Sequence, residues 1–250
     1  MKMKGMGKRN ASKYPCGGEL GMNPWTQMWL NYFPRAAKGN EAYFEKYRLD
    51  GFEKEHCVIR SALMELERGI QGMLVLPPPV HSSLAQAEKG TFVIRRISEA
   101  GSGVKAEGYH LKEQDGRLFL MAVEEKGVLY GVYDLLRRIA MEESLKGVDV
   151  LCNPDNPNRM LNHWDNMDGS IERGYSGESF FFAENEILVN ERTRDYARFV
   201  ASVGLNGVVI NNVNVKDAAT YLITERYFDR VAELSNVFAD YGIRLYLSLN

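Results

Sequence analysis

The spacing of apolar residues predicts two amphipathic helices in the first half of the chain. Apolar side chains recur every three to four positions over residues 58–70 and again over residues 127–140, the period at which one face of a helix is buried. Pro77 and the two prolines after it end the first helix, because proline lacks the N–H group that a helix requires. Both helices are expected to pack on a core.

Shorter apolar and β-branched runs between these helices predict a sheet. Strands are predicted at residues 91–97, 109–112 and 117–123, with turn signals at Gly101 and at Asp115-Gly116. Strands and helices segregated in this way favour a small α+β domain. We place that domain at residues 55–152.

Residues 1–54 show little periodicity and are left as an unplaced N-terminal extension. The segment is rich in Gly, Asn, Pro and aromatic residues. Its aromatic side chains are too apolar for a disordered tail and are expected to pack on the rest of the protein. They are Trp25, Trp29, Tyr32 and Phe33.

The pattern changes after residues 153–158, whose Asn and Pro content is typical of a linker. Strands are predicted at residues 159–164, 205–210 and 243–249, with one helix between each pair. Gly204 and Gly242 end the helices, and Thr224 is the expected N-cap of the second. A strand-helix-strand-helix-strand order builds a parallel sheet.

The predicted fold class is therefore α/β: a small α+β N-terminal domain, then the beginning of a (β/α)8 TIM barrel with about three parallel strands. We place the barrel part at residues 159–250. Three parallel strands alone would expose an unpaired apolar edge, which natural domains avoid. The pattern therefore predicts that the protein continues past Asn250.

Composition excludes several classes of function. The 250 residues are 45% apolar and 26% charged, with a formal net charge of -2, which gives no reason to expect nucleic acid as a partner. No apolar run approaches the ~20 residues of a membrane span, and no leader follows the basic start. We therefore predict a cytoplasmic protein, or an extracellular one if the true start lies upstream. Three scattered cysteines and four histidines predict neither disulfides nor a metal site.

Candidate chemistry is concentrated where the first parallel strand ends. In a barrel, that end of each strand faces the active site. There Trp164 offers a ring face for a sugar, Glu172 can hold hydroxyl groups, and Arg173 can pair with a carboxylate. Asn211 and Asn212 end the second strand and are weaker candidates for the same site.

The sequence RMLNHWDNMDGSIERGYSG (residues 159–177) resembles the segment that opens the catalytic barrel of the family 67 α-glucuronidases. The likeness continues at residues 195–215 and 222–250, extends upstream to residues 126–139, and is loose over residues 55–125. It implies an inverting enzyme without a cofactor that removes 4-O-methylglucuronic acid from xylan-derived aldouronic acid oligosaccharides. It also implies Trp164, Glu172 and Arg173 as substrate-pocket residues.

In that family the catalytic acid and base lie on later barrel strands, so we expect no catalytic residue in this chain. An inverting site needs the two groups roughly 6.5–9.5 Å apart to admit water. The resemblance also implies a homodimer formed through a C-terminal domain that would be absent here. Alternatives are a non-catalytic remnant that binds sugar weakly, or an unrelated barrel enzyme with an accessory domain.

Each candidate also has a purely structural interpretation. Trp164 can be a core residue, and Glu172-Arg173 can be an exposed ion pair that contributes little. His163 is interpreted as a buried, hydrogen-bonded strand residue. Asp165 is interpreted as a turn cap or a partner of Arg173.

Overall fold

The computed structural model describes residue 30, residues 32–83 and residues 87–249, and within them the chain forms two main sheets. One is a six-stranded mixed sheet, and the other is a three-stranded parallel sheet. Trp25 and Trp29 lie outside the described residues. Tyr32 is half-buried, whereas Phe33 is 54% exposed.

The six-stranded sheet has the strand order β2-β1-β3-β5-β4-β6. Its strands are β1 (Lys46–Asp50), β2 (Val80–His81), β3 (Thr91–Arg96), β4 (Tyr109–Gln114), β5 (Arg117–Ala122) and β6 (Asp149–Cys152). Strands β1, β2, β3 and β5 pair in parallel, while β4 is antiparallel to both of its neighbours. Asp115 and Gly116 join β4 to β5 with positive φ angles of 54° and 74°, as a tight hairpin turn requires.

Strand β1 belongs to the segment that the sequence left unplaced. It lies inside the sheet, between β2 and β3, and a short 3-10 helix (Asn40–Tyr43) precedes it. The half-buried pattern of these five residues is too short to stand out as a period. Residues 40–50 are therefore part of the first folded unit.

Two helices cover this sheet, as predicted: α1 (Cys57–Gly69) and α2 (Glu125–Ala140). A π-helical turn (Ile70–Leu74) extends α1 and ends before the prolines. Strands β3 and β5 contribute Phe92 and Leu118, which are fully buried, and burying each such side chain stabilises the fold by ~1.5–3 kcal/mol. Helix α2 can approach the sheet because residue 127 is glycine. A Cβ atom there would lie 2.2 Å from the Gly108 carbonyl oxygen.

The second sheet has the predicted β-α-β-α-β order. Strands β7 (Met160–Asp165), β10 (Gly207–Asn211) and β11 (Arg244–Tyr246) are all parallel, with β10 in the centre. Helices α3 (Glu191–Ser202) and α4 (Phe228–Ala239) connect them. A two-stranded hairpin, β8 (Phe182–Ala183) and β9 (Glu186–Ile187), precedes α3.

The ends of the two connecting helices explain their bounds. Helix α3 begins with a capping box in which Asn190 and Thr193 bond each other's backbone N–H groups. It is followed by Gly204, whose φ of 77° fits the predicted position after the helix. The N-cap predicted at Thr224 is wrong: α4 begins at Phe228, and Thr224 instead donates its hydroxyl to the Tyr221 carbonyl. Three turn residues separate Thr224 from the start of α4.

A buried ion pair joins the N-terminal unit to the unit that contains the second sheet. Arg198 on α3 donates two hydrogen bonds to Glu65 on α1, and the side chains are only 2% and 1% exposed. The Tyr32 hydroxyl donates to the same carboxylate at 3.0 Å. Burial alone would lower the pKa of Arg198, but the charge of Glu65 raises it above the usual value. The first barrel helix is therefore fixed against the N-terminal unit.

A second polar cluster joins the units beside the predicted linker. Glu107 accepts hydrogen bonds from Lys126, from Arg159 at 2.6 Å and from Asn206 at 3.0 Å. Burial raises the pKa of Glu107, but these three donors outweigh it and lower the pKa below the usual value. Arg159 also donates to the Asn156 carbonyl at 2.7 Å. The linker is thus held at its C-terminal end.

Among the described residues, no helix combines the length and the apolar character required to cross a bilayer. The same part of the chain holds no group of three or more His, Cys, Asp or Glu side chains placed to bind a metal ion. Cys57 and Cys152 are free thiols, and Cys16 lies outside the described residues.

Candidate functional site at the end of strand β7

The carboxyl ends of β7 and β10 lie side by side, because the two strands are parallel neighbours. Asp165 pairs with Asn211 across the ladder, and the Asn212 N–H donates to the Asp165 carbonyl at 2.8 Å. The residues that follow both strands therefore meet at one edge of the sheet. This edge is where barrel enzymes bind substrates.

The long connection after β7, residues 166–181 (the β7 loop), folds back on the strand that it leaves. The Glu172 N–H donates to the Trp164 carbonyl at 2.9 Å, and isolated bridges pair Asp165 with Ile171 and Ser170 with Glu178. Glu172 has a φ of 59°, an unusual conformation for a residue other than glycine, asparagine or aspartate. The backbone at Glu172 is therefore held by the fold.

The side chains that reach solvent in this region include those of Trp164, Arg173 and Tyr175. The Trp164 residue is 37% exposed, Arg173 is exposed, Tyr175 is 72% exposed, and Glu172 is half-buried. Desolvation raises the pKa of Tyr175, and the negative charge of Glu172 and a hydrogen bond with that carboxylate raise it further. Arg173 forms no ion pair with any described residue, so the predicted Glu172-Arg173 pair is not formed in this part of the chain. The guanidinium can therefore meet an anionic ligand without breaking such a pair.

Asn211 and Asn212 use their side chains inside the protein. Asn211 is 1% exposed and exchanges hydrogen bonds with the backbone of Ser248, at 3.1 Å and 2.8 Å. Asn212 is 7% exposed and donates to Asn166 Oδ1 at 3.1 Å and to the Glu172 carbonyl at 3.4 Å. The first amide joins β10 to the residues after β11, and the second supports the β7 loop.

His163 and Asp165 point to the helix side of the sheet. His163 was predicted to be buried and hydrogen-bonded; it is half-buried, with a hydrogen bond to the Tyr196 hydroxyl and an edge-on contact with Phe181 whose ring centroid lies 5.1 Å away. Burial lowers the pKa of His163 to about 4, so the ring is neutral at pH 7. Asp165 is 2% exposed and accepts the Ser179 hydroxyl. Its structural role matches the prediction, but its partner is Ser179 rather than Arg173.

A polar pocket of about 260 Å³ opens between the β7 loop and the residues after β10. Its wall includes Asp165, Asp168, Asn185, Asn214 and Lys216. Asp168 Oδ1 accepts both the N–H and the hydroxyl of Ser170, at 2.9 Å and 2.7 Å, and these bonds lower its pKa. Carboxylates and amides predominate in this wall, and such groups can form hydrogen bonds with the hydroxyl groups of a ligand.

No sequence pattern singled out two residues that shape this region. Ser179 binds Asp165, which is fourteen positions away, and Tyr196 binds His163 from helix α3. Contacts of this kind depend on where the loop returns, which no local pattern specifies.

The second sheet is the beginning of a parallel barrel, and Trp164, Glu172 and Arg173 lie at and after the carboxyl end of its first strand, where barrel enzymes place their active sites. The fold therefore places the chain in the class of (β/α)8-barrel proteins. Two models of one family match the chain. The glycosyl hydrolase family 67 N-terminus matches residues 28–135, and the family 67 middle domain matches residues 138–250. The chain belongs to glycosyl hydrolase family 67.

Similar curated proteins carry a consistent name. The probable alpha-glucuronidase A of Aspergillus terreus is 33% identical over 89% of this chain and 27% of its own length. The probable alpha-glucuronidase A of Aspergillus fumigatus is 35% identical over 89% of this chain and 27% of its own length. For the alpha-glucuronidase A of Emericella nidulans the values are 36%, 63% and 20%. The chain thus spans about a quarter of the length of the curated relatives it matches.

Solved structures share the fold at low sequence identity. A GH138 enzyme targeting pectin rhamnogalacturonan II superposes with a TM-score of 0.53 at 11% identity, covering 81% of this chain and 24% of that one. A GH115 4-O-methyl-α-glucuronidase gives 0.51 at 15%, covering 79% and 28%. A Streptomyces plicatus β-hexosaminidase gives 0.53 at 17%, covering 86% and 42%. These likenesses support the arrangement of an N-terminal domain followed by the start of a glycosidase barrel.

Proposed function

We propose that this chain forms the N-terminal domain and the first barrel strands of an inverting α-glucuronidase. The enzyme hydrolyses the α-1,2 bond of (4-O-methyl)glucuronic acid on xylo-oligosaccharides. The observation that carries the proposal is the exposed Arg173 guanidinium on the loop that leaves the strand of Trp164, in a chain whose relatives are named alpha-glucuronidase. A uronic acid differs from a neutral sugar by its carboxylate, which a guanidinium binds through two parallel hydrogen bonds.

Trp164, Glu172 and Arg173 each have one role in this proposal. The Trp164 ring packs against the apolar face of the sugar, and the Glu172 carboxylate accepts hydrogen bonds from sugar hydroxyls. Arg173 binds the uronate carboxylate. The hydrogen bond from the Glu172 N–H to the Trp164 carbonyl fixes the spacing of the backbone from which these side chains project.

The acid and the base belong, in this proposal, to barrel strands other than β7, β10 and β11. Two acidic side chains in the pocket wall already have intramolecular partners: Asp165 accepts the Ser179 hydroxyl, and Asp168 accepts two bonds from Ser170. Neither is arranged as a free acid facing a free base across the gap of roughly 6.5–9.5 Å that inversion requires. The described barrel strands thus supply a wall of the substrate pocket.

Calorimetric titration with D-glucuronate and with D-glucose tests the binding role of this wall. We expect the chain to prefer D-glucuronate, and Arg173→Ala to weaken D-glucuronate binding by ~1–3 kcal/mol. Arg137→Ala is the control, because Arg137 is similarly exposed on helix α2 and pairs with Asp134. Equal affinity of wild type and Arg173→Ala would remove Arg173 from the site.

Incubation with aldotetraouronic acid tests the catalytic part. We expect the 250-residue chain to release no methylglucuronate at an enzymatic rate. Turnover at such a rate would overturn the assignment of the acid and the base to other strands. Binding without turnover also distinguishes this proposal from an unrelated barrel enzyme, which has no reason to prefer a uronate.

A further inference from the structure

The β7 loop is closed at its base by one side-chain contact. The chain leaves the strand at Asp165 and returns at Ser179, whose hydroxyl donates its proton to Asp165 Oδ2. The Ser179 oxygen accepts the N–H groups of Phe181 and Phe182 at 3.0 Å and 3.1 Å. A hydroxyl has one proton and two lone pairs, so every hydrogen-bonding site of Ser179 is used.

Asp165 is placed so that this contact is shielded from water. The residue is 2% exposed, and the nearest titratable side chain, His163, has its Nδ1 atom 3.8 Å from Asp165 Oδ1. That separation is longer than a hydrogen bond. The Ser179 hydroxyl is therefore the hydrogen-bond donor that holds the Asp165 side chain among the described residues.

Hydrogen bonds from Asn166 and Asn212 continue from this base to Glu172. Asn166 Nδ2 donates to the Glu172 carbonyl at 3.0 Å and to Ser170 Oγ at 2.9 Å. Asn212 approaches the same carbonyl at 3.4 Å. The N–H and the carbonyl of Glu172 are thus both hydrogen-bonded. The closed loop therefore determines the orientation of Glu172 and of the adjacent Arg173.

We propose that Asp165 is a positioning residue: by binding Ser179 it closes the β7 loop and holds Glu172 and Arg173 in the orientation that receives a uronate. The ligand in this statement rests on the proposed function, whereas the closure of the loop does not. Asp165 touches no reacting atom and acts through the backbone that it anchors.

Hydrogen–deuterium exchange tests the closure without any ligand. We expect Ser179→Ala and Asp165→Ala to speed exchange at the Glu172 N–H by about five- to tenfold, the effect of losing one hydrogen bond of average strength. Asp165→Asn keeps an acceptor oxygen and should restore most of the protection. Ser202→Ala is the control, because the Ser202 hydroxyl also donates a hydrogen bond, to the Phe199 carbonyl, but lies in helix α3. Unchanged exchange at Glu172 in both alanine variants would overturn the proposal.

Titration of the same variants with D-glucuronate tests the consequence for the site. We expect Ser179→Ala to bind D-glucuronate at least fivefold more weakly. Asp165→Asn and Ser202→Ala should bind it about as well as the wild type. Exchange at the backbone amides of helix α3 should not change. Full affinity in Ser179→Ala with a loosened loop would overturn the positioning role. If wild type binds no D-glucuronate, the proposed function fails, and the exchange experiment still decides whether Asp165 closes the loop.

Discussion

Two of the regions that bring a Glu and an Arg close together use these residues in opposite ways. At the junction of the two folded units, Glu65 and Arg198 are buried and joined by two hydrogen bonds. At the end of β7, Glu172 and Arg173 are neighbours in sequence, Arg173 is exposed, and no ion pair joins them. Burial decides whether such residues hold the fold or remain available to a ligand.

The physical reason is the cost of removing charges from water. A buried carboxylate or guanidinium is tolerated only when it is paired and hydrogen-bonded. Glu65 and Arg198 therefore bind each other, and neighbours such as Tyr32 supply further hydrogen bonds. An exposed guanidinium keeps its water and loses little without a partner. Four predictions sharpen this comparison, beginning with the largest effect.

Arg198→Ala should lower the free energy of unfolding by ~3 kcal/mol, because the buried Glu65 carboxylate loses two hydrogen bonds and keeps only the more exposed Arg68 as a cation. Urea denaturation at pH 7 measures the loss. The double variant Glu65→Leu/Arg198→Met removes both charges and should recover most of the stability. If Arg198→Ala lowered the free energy of unfolding by less than ~1 kcal/mol, the ion pair at this junction would be as well solvated as a surface pair.

His163 should make stability depend on pH. Its pKa falls from 6.5 to about 4 on burial, so the unfolded chain takes up a proton first and stability decreases as the pH falls from 6.5 towards 4. Between pH 7 and pH 5 wild type should lose roughly 2 kcal/mol more than His163→Phe. Denaturation of both proteins across this range measures the difference. Burial raises the pKa of Asp165, but both proteins contain Asp165, so its contribution cancels in the difference between them. Parallel curves for the two proteins would contradict the prediction.

Glu107→Gln should cost ~1–2 kcal/mol of unfolding free energy. The change leaves Lys126 and Arg159 without their carboxylate while it keeps one acceptor oxygen for Asn206. Glu88→Gln is the matched control, since the Lys46–Glu88 pair lies at the surface with side chains 34% and 57% exposed. It should leave the free energy of unfolding close to that of the wild type, because an exposed ion pair contributes little. Equal losses would mean that the cluster at Glu107 is fully solvated.

Arg173→Ala should change the free energy of unfolding by less than ~0.5 kcal/mol, although it weakens D-glucuronate binding. Thermal and urea denaturation measure the first quantity, and Arg198→Ala provides the contrast. A loss of stability as large as that of Arg198→Ala would show that Arg173 stabilises the fold, and would contradict the contrast between the two arginines.

Local patterns were sufficient for the order of elements. The helical spacing over residues 58–70 and 127–140 matched α1 and α2, and the β-α-β-α-β order of the second unit was confirmed. The ends of the predicted strands differed from the observed ones by at most three residues. Strands β1, β2 and β6 and the β8–β9 hairpin were missed, because two to five residues are too few to establish a period.

The site was only partly readable. A strand followed by a polar loop with Trp164, Glu172 and Arg173 indicated a sugar site, because parallel strands end on one edge. The inward use of Asn211 and Asn212 could not be predicted, since an amide forms the same bonds with backbone as with a sugar. Only the neighbouring strand and the returning loop determine which it meets.

The sequence by itself determined the α/β class, the two-part organisation and the family, because periodicity, turn residues and extended motifs are properties of neighbours along the chain. The tertiary structure alone decided which charges are buried, that Ser179 closes the β7 loop on Asp165, and that Arg198 rather than Arg173 holds a carboxylate inside the protein. Those outcomes depend on desolvation, and desolvation depends on what the rest of the chain places above each side chain.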